Sequence, residues 1–248
     1  MTRIAHRRPG TGAARRSGFR GIGGGGPTPA AWTPASLAAT QHWYEGDDVT
    51  LATTKITTFN DKDGADDLTQ ATDANRPVYS ASIATLGNEP GGVFTRASSH
   101  WVGGAFAAIS QPFTIVLAWS YSAVGVQQAI AGSNVGAQWY IRSSAANSLV
   151  FYGGTTPAST SLTVAANTLY RGFFVFNGTS SKVRVNGASV YAGATNLGAS
   201  TCSTLALGRW ATIEHLDGSI AHAAVLSGDL IADAANLALY ETYLAKYA

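Results

Sequence analysis

The sequence predicts an all-β protein, an antiparallel sandwich or jelly roll, with an extended arm before it and one helix closing it. Three observations carry this prediction. Large and small side chains alternate strictly in short runs such as "PFTIVLAWSYS", residues 112–122. Those runs are separated by turns rich in Gly, Asn, Ser and Thr, among them an Asn186-Gly187 pair. The spacing changes to a helical one only after Leu230.

The arm comes first, as residues 1–30. Arg3, Arg7, Arg8, Arg15, Arg16 and Arg20 fall in its first twenty positions, and the first acidic residue of the chain is Glu45. The arm is therefore strongly cationic, whereas the remainder carries ten basic against fourteen acidic side chains. Such a division concerns partners rather than fold. Ile4, Phe19 and Ile22 are its only large apolar groups, too few to build a core around this much glycine. An export signal needs an apolar stretch after the arginines, and Gly21–Pro27 supplies glycine instead. The same glycines oppose an amphipathic presequence. No aromatic stacking platform interleaves the arginines, so nucleic acid is a lesser partner than protein carboxylates. Gly23–Gly26 reads as a swivel and Pro27-Thr28-Pro29 as a stiffer exit.

Residues 31–248, about 220 in number, suffice for one large sandwich. With 46% hydrophobic and 12% charged residues the chain is globular, and no apolar run approaches membrane-spanning length. A single cysteine, Cys202, excludes an internal disulfide and reads as a small buried hydrophobe. In the first strong strand Phe113, Ile115, Leu117, Trp119 and Tyr121 share one face, and the strand is expected to be central. Further strands are predicted over Gln138–Arg142, Ser148–Tyr152, Leu169–Phe176, Leu205–Arg209 and Gly218–Leu226. In "SSKVRVNGASVY" Val183 and Val185 should point inward and Lys182 and Arg184 outward, before a tight hairpin turn. Finally, Leu230, Leu237, Tyr240, Leu244 and Tyr247 form one helical stripe, with Asp229 or Asp233 at its positive end and Lys246 at the other.

The segments "QHWYEGDDVTL" and "ITTFNDKDGADDLTQATDANRPVY" resemble the opening of laminin-G-like domains of the concanavalin A-like lectin/glucanase fold, in the form common among tailed-bacteriophage virion proteins. Phe59 stands where that pattern has a turn tryptophan, and Asp63 where it has a serine. "VRVNG" at 183–187, "LALGRW" at 205–210, "LDGSIAHAAVLSGDL" at 216–230 and the terminal "YETYLAKY" continue the likeness over roughly residues 31–247. The resemblance implies a concanavalin A-like jelly roll displayed on a particle, with the basic leader as its tether.

Fold does not deliver function, so each chemistry is tested on its residues. Glucanases of this fold carry two glutamates and an aspartate alternating on one strand, because retaining hydrolysis needs two carboxyl groups held close together. No Glu-x-Asp-x-x-Glu occurs here: "EGDD" at 45–48 has no second glutamate at strand spacing, and Glu214 and Asp217 are three apart. A Gly-x-Ser-x-Gly elbow is missing, and the histidines at 6, 42, 100, 215 and 222 show no metal-ligand pairing. No catalytic residue and no cofactor is therefore expected. Asp61, Asp63, Asp66 and Asp67 cluster around a glycine like the start of a calcium loop, but the bidentate glutamate is lacking, so a backbone-capping turn is favoured. Trp139, Tyr140, Tyr152 and Trp210 are the aromatic rings available to a glycan.

The expectation is accordingly a non-catalytic virion structural protein, a decoration or fibre subunit of head, neck or tail, on the virion surface. Residues 1–26, through Arg3, Arg7, Arg8, Arg15, Arg16, Phe19 and Arg20, would anchor it to other virion proteins, as a homo-oligomer. The alternative is a carbohydrate-binding adhesion module for host surface glycans, with a glycoside hydrolase or a nucleic-acid-associated protein behind it.

Overall fold

The computed structural model describes residues 31–136, 138–211 and 214–248, so the arm and the anchoring role assigned to Arg3, Arg7, Arg8, Arg15, Arg16, Phe19 and Arg20 lie outside the described residues. In chain order the strands are β1 Thr40–Glu45, β2 Val49–Ala52, β3 Lys55–Phe59, β4 Leu68–Thr69, β5 Val78–Ile83, β6 Glu89–Phe94, β7 Val102–Ile109, β8 Phe113–Tyr121, β9 Gln128–Gly132 and β10 Tyr140–Ser143. They continue as β11 Ser148–Tyr152, β12 Ala158–Thr163, β13 Leu169–Phe176, β14 Lys182–Val185, β15 Ala188–Ala192, β16 Cys202–Leu207, β17 Arg209–Trp210, β18 Glu214–His215 and β19 Gly218–Ser227. One α-helix follows, α1 Ala234–Leu244, with 3-10 turns at Leu230–Ala232 and Ala245–Tyr247.

The strands pair antiparallel into two layers. One runs β15–β14–β13–β8–β19, and β19 then pairs with β6 through its first half and with β1 through its second. The other runs β12–β11–β10–β9–β16–β7–β4. The β2–β3 hairpin closes one side, since β3 pairs with β4 of the second layer and β5 of the first. This is the antiparallel sandwich that the alternation predicts.

Strand β8 is central, flanked by β13 over Leu169–Phe176 and by β19. Its five large side chains all enter the inter-layer core, as expected. Its small residues Val116 and Ala118 are buried too, in a second core on the far side of the layer. The segment 230–247 covers that face: Leu237, Tyr240, Leu244 and Tyr247 pack there with Phe173 and Ala224. Each such side chain taken from water contributes about 1.5–3 kcal/mol. The expected stripe is correct, but it is carried by a 3-10 turn, a helix and a second 3-10 turn. Both aspartates act as caps: Asp229 accepts from Ala232 N at 3.1 Å and Asp233 from Asn236 N at 3.2 Å.

Val183 and Val185 point into the core, and Asn186 and Gly187 take φ of 49° and 79°, as a tight hairpin turn requires. The outward Lys182 and Arg184 meet Asp229 at 2.6 Å and Glu241 at 2.7 Å, so that face is pinned to the C-terminal segment.

A buried carboxylate fastens the same segment to β1. Glu45 accepts from Tyr243 Oη at 2.5 Å, Lys246 Nζ at 2.7 Å and Tyr247 Oη at 2.9 Å, and its other oxygen accepts from Lys62 Nζ at 3.0 Å. His222 Nδ1 lies 3.3 Å away and its Nε2 is 3.1 Å from Tyr240 Oη. Burial alone would raise the Glu45 pKa, but the hydrogen bonds from His222, Lys246 and Tyr243 outweigh it and hold the carboxyl well below its usual range. Burial lowers the His222 pKa despite Glu45, so the positive charge facing the carboxylate comes from Lys62 and Lys246. His222 is thus a buried member of this hydrogen-bonded anchor.

Candidate functional site

The outer face of the second layer carries the site, and β-register builds it. Tyr152 on β11 pairs with Tyr140 on β10, Tyr140 with Gly132 on β9, Gly132 with Ala206 on β16, and Ala206 with Gly103 on β7. One line crosses five strands, with tyrosines at one end and a floor of Gly132, Ala206 and Gly103 at the other. Ile141 and Phe151 point to the core, which turns Tyr140 and Tyr152 outward.

A short hairpin lies on that floor. At Gly208 the chain takes φ of 81°, where an added Cβ would stand 2.2 Å from Phe94 Cδ1, and β16 gives way to β17. The β17–β18 hairpin then packs against β9, with Trp210 opposite Glu214 and Arg209 opposite His215. A Cβ on Gly132 would be 2.9 Å from Trp210 Cδ1, and one on Gly103 3.1 Å from Trp101 Cζ3 and 3.2 Å from Asn134 Cγ. The small residues are the space the aromatic rings occupy.

On the first face of the hairpin, Tyr140 and Tyr152 stack with centroids 5.0 Å apart and planes 15° from parallel, and Trp210 is 4.5 Å from Tyr140. Arg142 lies over Tyr140, its Cζ 4.7 Å from the ring centre, and forms an ion pair with Glu214. Its Nη1 also donates to Gln127 Oε1 at 3.3 Å. Burial raises the Glu214 pKa and Arg142 offsets only part of the rise. Burial likewise raises that of the Tyr140 hydroxyl. On the second face, Arg209 lies over Trp101, its Cζ 3.2 Å from the ring centre, and donates from Nη2 to Asn134 Oδ1 at 2.7 Å. Burial lowers the Arg209 pKa.

Around the hairpin four buried polar atoms have no protein partner: Arg142 Nε, Trp210 Nε1 and Glu214 Oε2 on its first face and Arg209 Nε on its second. Native proteins leave few such atoms, so their concentration beside stacked aromatic rings marks a place where a polar ligand or water completes the set.

Of the four aromatic residues expected to meet a glycan, the structure brings Tyr140, Tyr152 and Trp210 together and places Trp139 elsewhere. Trp139 precedes β10, is fully buried and packs edge-on against Phe113 and Phe176, so its ring is core and unavailable. Adjacent strand residues point to opposite faces, and Trp139 takes the inner one. The acidic run also resolves. Asp61 is buried and accepts from His42 Nδ1 at 2.8 Å, Trp43 N at 3.0 Å and Asp63 N at 3.1 Å, while Asp67 accepts from Asp61 N at 2.8 Å. Asp63 and Asp66 stay at the surface of the turn. The oxygens of Asp61 and Asp67 thus accept from backbone and histidine donors, as a backbone-capping turn would have them. Arg142, Arg209, Trp101, Asn134 and the pairing of Glu214 are the members that the sequence did not assemble. They come from four separated stretches, and only the hairpin joins them.

No family model matches the sequence, and no curated protein matches it. Among solved structures, the chain superposes on Trypanosoma rangeli sialidase in complex with sialic acid, with a TM-score of 0.55, 9% identity, and coverage of 84% of this chain and 34% of the sialidase. It superposes on an arabinofuranosidase complexed with arabinofuranosyl-alpha-1,2-xylobiose, with a TM-score of 0.58, 14% identity, and coverage of 78% of this chain and 51% of that one. The chain thus spans about a third to a half of the neighbours' length.

These likenesses correct two expectations. The neighbours are glycosidases, which overturns the assignment as a non-catalytic virion decoration or fibre subunit and, with it, the exclusion of enzymatic activity. They share the sandwich, at an identity that speaks for fold alone, and they give no support to the phage form of the resemblance.

Proposed function

We propose that this domain engages saccharides, as part of a carbohydrate-processing protein, on the outer face of its second layer. The observation that carries the reading is the row of Tyr152, Tyr140 and Trp210, aligned by strand register and bordered by unpartnered polar atoms. Sugar rings present apolar C–H faces and a rim of hydroxyls. Aromatic faces take the first, and a convergent set of amide, guanidinium and carboxylate groups takes the second. Tyr140 is almost covered by its neighbours, so Tyr152 and Trp210 supply the exposed ring surface.

One further feature favours chemistry on the bound sugar. Glu214 is a buried carboxyl with raised proton affinity and one unpartnered oxygen, the character of a general acid. Hydrolysis by two carboxylates needs a second one, and among the described residues no other Asp or Glu is ion-paired or hydrogen-bonded to this set.

The reading is tested by affinity electrophoresis of the full chain through gels cast with plant and bacterial polysaccharides, beside Trp210→Ala and Tyr152→Ala. Retardation of the wild type that both substitutions abolish, at unchanged melting temperature, is the supporting result. Equal mobility of all three chains in every gel excludes it. Release of a chromophore from aryl glycosides, lost in Glu214→Gln, would add catalysis to binding.

A further inference from the structure

We infer that the saccharide taken by this face is acidic, a sugar carrying a carboxylate or a sulfate, and that Arg209 receives its charge. This rests on the carbohydrate reading above and deepens it. Seven of the ten lysines and arginines between residues 31 and 248 hold a carboxylate within salt-bridge distance; Arg96, Arg171 and Arg209 do not, among the described residues. Of those three only Arg209 has its Nε shut away from solvent without a partner. A guanidinium that is desolvated and unpaired is costly, and the cost is recovered when an anion arrives.

The surroundings are arranged for that arrival. The guanidinium of Arg209 lies over the Trp101 ring, and Asn134 holds one of its nitrogens, so the group is positioned with donors to spare. Its neighbour on β17, Trp210, belongs to the aromatic row on the other face of the hairpin, so a saccharide on that row reaches Arg209 by spanning the hairpin. Charge in the patch is also unbalanced. Arg96, exposed on the turn before Trp101, is near enough to act on Glu214, so Arg96 and Arg142 share one carboxylate, while Arg209 on the other face of the hairpin has none within salt-bridge distance among the described residues. Electropositive clefts raise the local concentration of anionic ligands.

The test uses the full chain on an array of uronic-acid, sialic-acid and sulfated oligosaccharides, each printed beside its carboxyl-reduced or desulfated counterpart. The wild type is expected to retain acidic members over their neutral counterparts by at least about tenfold, the scale of one charge-assisted hydrogen bond. Arg209→Gln should erase that preference while retaining the neutral members. Should this variant fail to fold, Arg96→Gln at its exposed site should weaken the preference. Salt raised to about 1 M, which cuts the screening length to about 3 Å, should weaken it in the wild type. The pattern of loss on carboxyl reduction or on desulfation identifies the anion. Equal retention of acidic and neutral members by the wild type, or an undiminished preference in folded Arg209→Gln, overturns the inference and leaves the aromatic platform standing. Retention of no saccharide at all removes the platform reading, and this one with it.

Discussion

Trp210 rests on Gly132: a methyl group added to the glycine would stand 2.9 Å from Cδ1 and 3.1 Å from Cβ of the indole. Real Cβ atoms do not approach so closely, so the ring holds its place beside Tyr140 because β9 offers no side chain there.

Gly132→Val should therefore lift Trp210 from the face. The substitution replaces the glycine that ends β9 with a good strand former, so the sheet itself tolerates it. The expected outcome is loss of saccharide retention equal to that of Trp210→Ala. Indole fluorescence should report a more exposed tryptophan, and the melting temperature should change little.

Trp139 and Trp210 separate core from site. Trp139→Ala empties a fully buried ring position and should cost about 3–5 kcal/mol in denaturant unfolding. Trp210→Ala, on a half-exposed ring, should leave stability close to wild type and remove binding. Reversed behaviour of the two variants would contradict the assignment of faces.

Glu45 should dominate the acid response of the fold. Its folded pKa is depressed, so its stabilisation is complete above the unfolded carboxyl value and is lost as pH falls through it toward the folded one. Glu45→Gln leaves Lys62 with Asp47 alone, removes the carboxylate of Lys246 and weakens the acceptor of Tyr243 and Tyr247, and should cost about 1–3 kcal/mol at pH 7. The gap between wild type and variant should narrow once the pH drops below about 4.3. Urea titrations at successive pH values measure it, and a gap that is constant with pH would refute the role.

Asp61 should behave as a structural acceptor. Asp61→Ala removes the partner of two backbone N–H groups and of His42, and should lower stability by about 1–3 kcal/mol. Calcium or a chelator should leave the melting temperature of the wild type unchanged, as followed by circular dichroism.

Much of the fold was legible because each local signal agreed with the global one. The alternation in Phe113–Tyr121, the Asn186-Gly187 turn and the stripe from Leu230 to Tyr247 each place the residues they name. The site was legible only in part. Periodicity tells that Trp139 and Tyr140 face opposite ways but not which one faces out; the neighbour Ile141, buried with Trp139, decides it. Arg142, Glu214, Arg209 and Trp101 meet through a hairpin two residues long on each side, too short for any pattern to announce. Glu45 stood out in the sequence only as the first acid of "EGDD", and its role as a buried anchor depends on tyrosines some 200 positions away, Tyr243 and Tyr247. Function was the least legible. The phage resemblance pointed to a particle component, whereas the fold's neighbours are glycosidases.

The central claim, that saccharide meets this protein on the row of Tyr152, Tyr140 and Trp210, is tested most directly by nitrogen-15 correlation spectra of the six tryptophan indoles during titration with a retained oligosaccharide. The account predicts that the Nε1–H resonance of Trp210 moves most and that of Trp101 next, while those of buried Trp119 and Trp139 stay still. A saturable shift confined to other indoles, with Trp210 unmoved, would place the ligand elsewhere and contradict it.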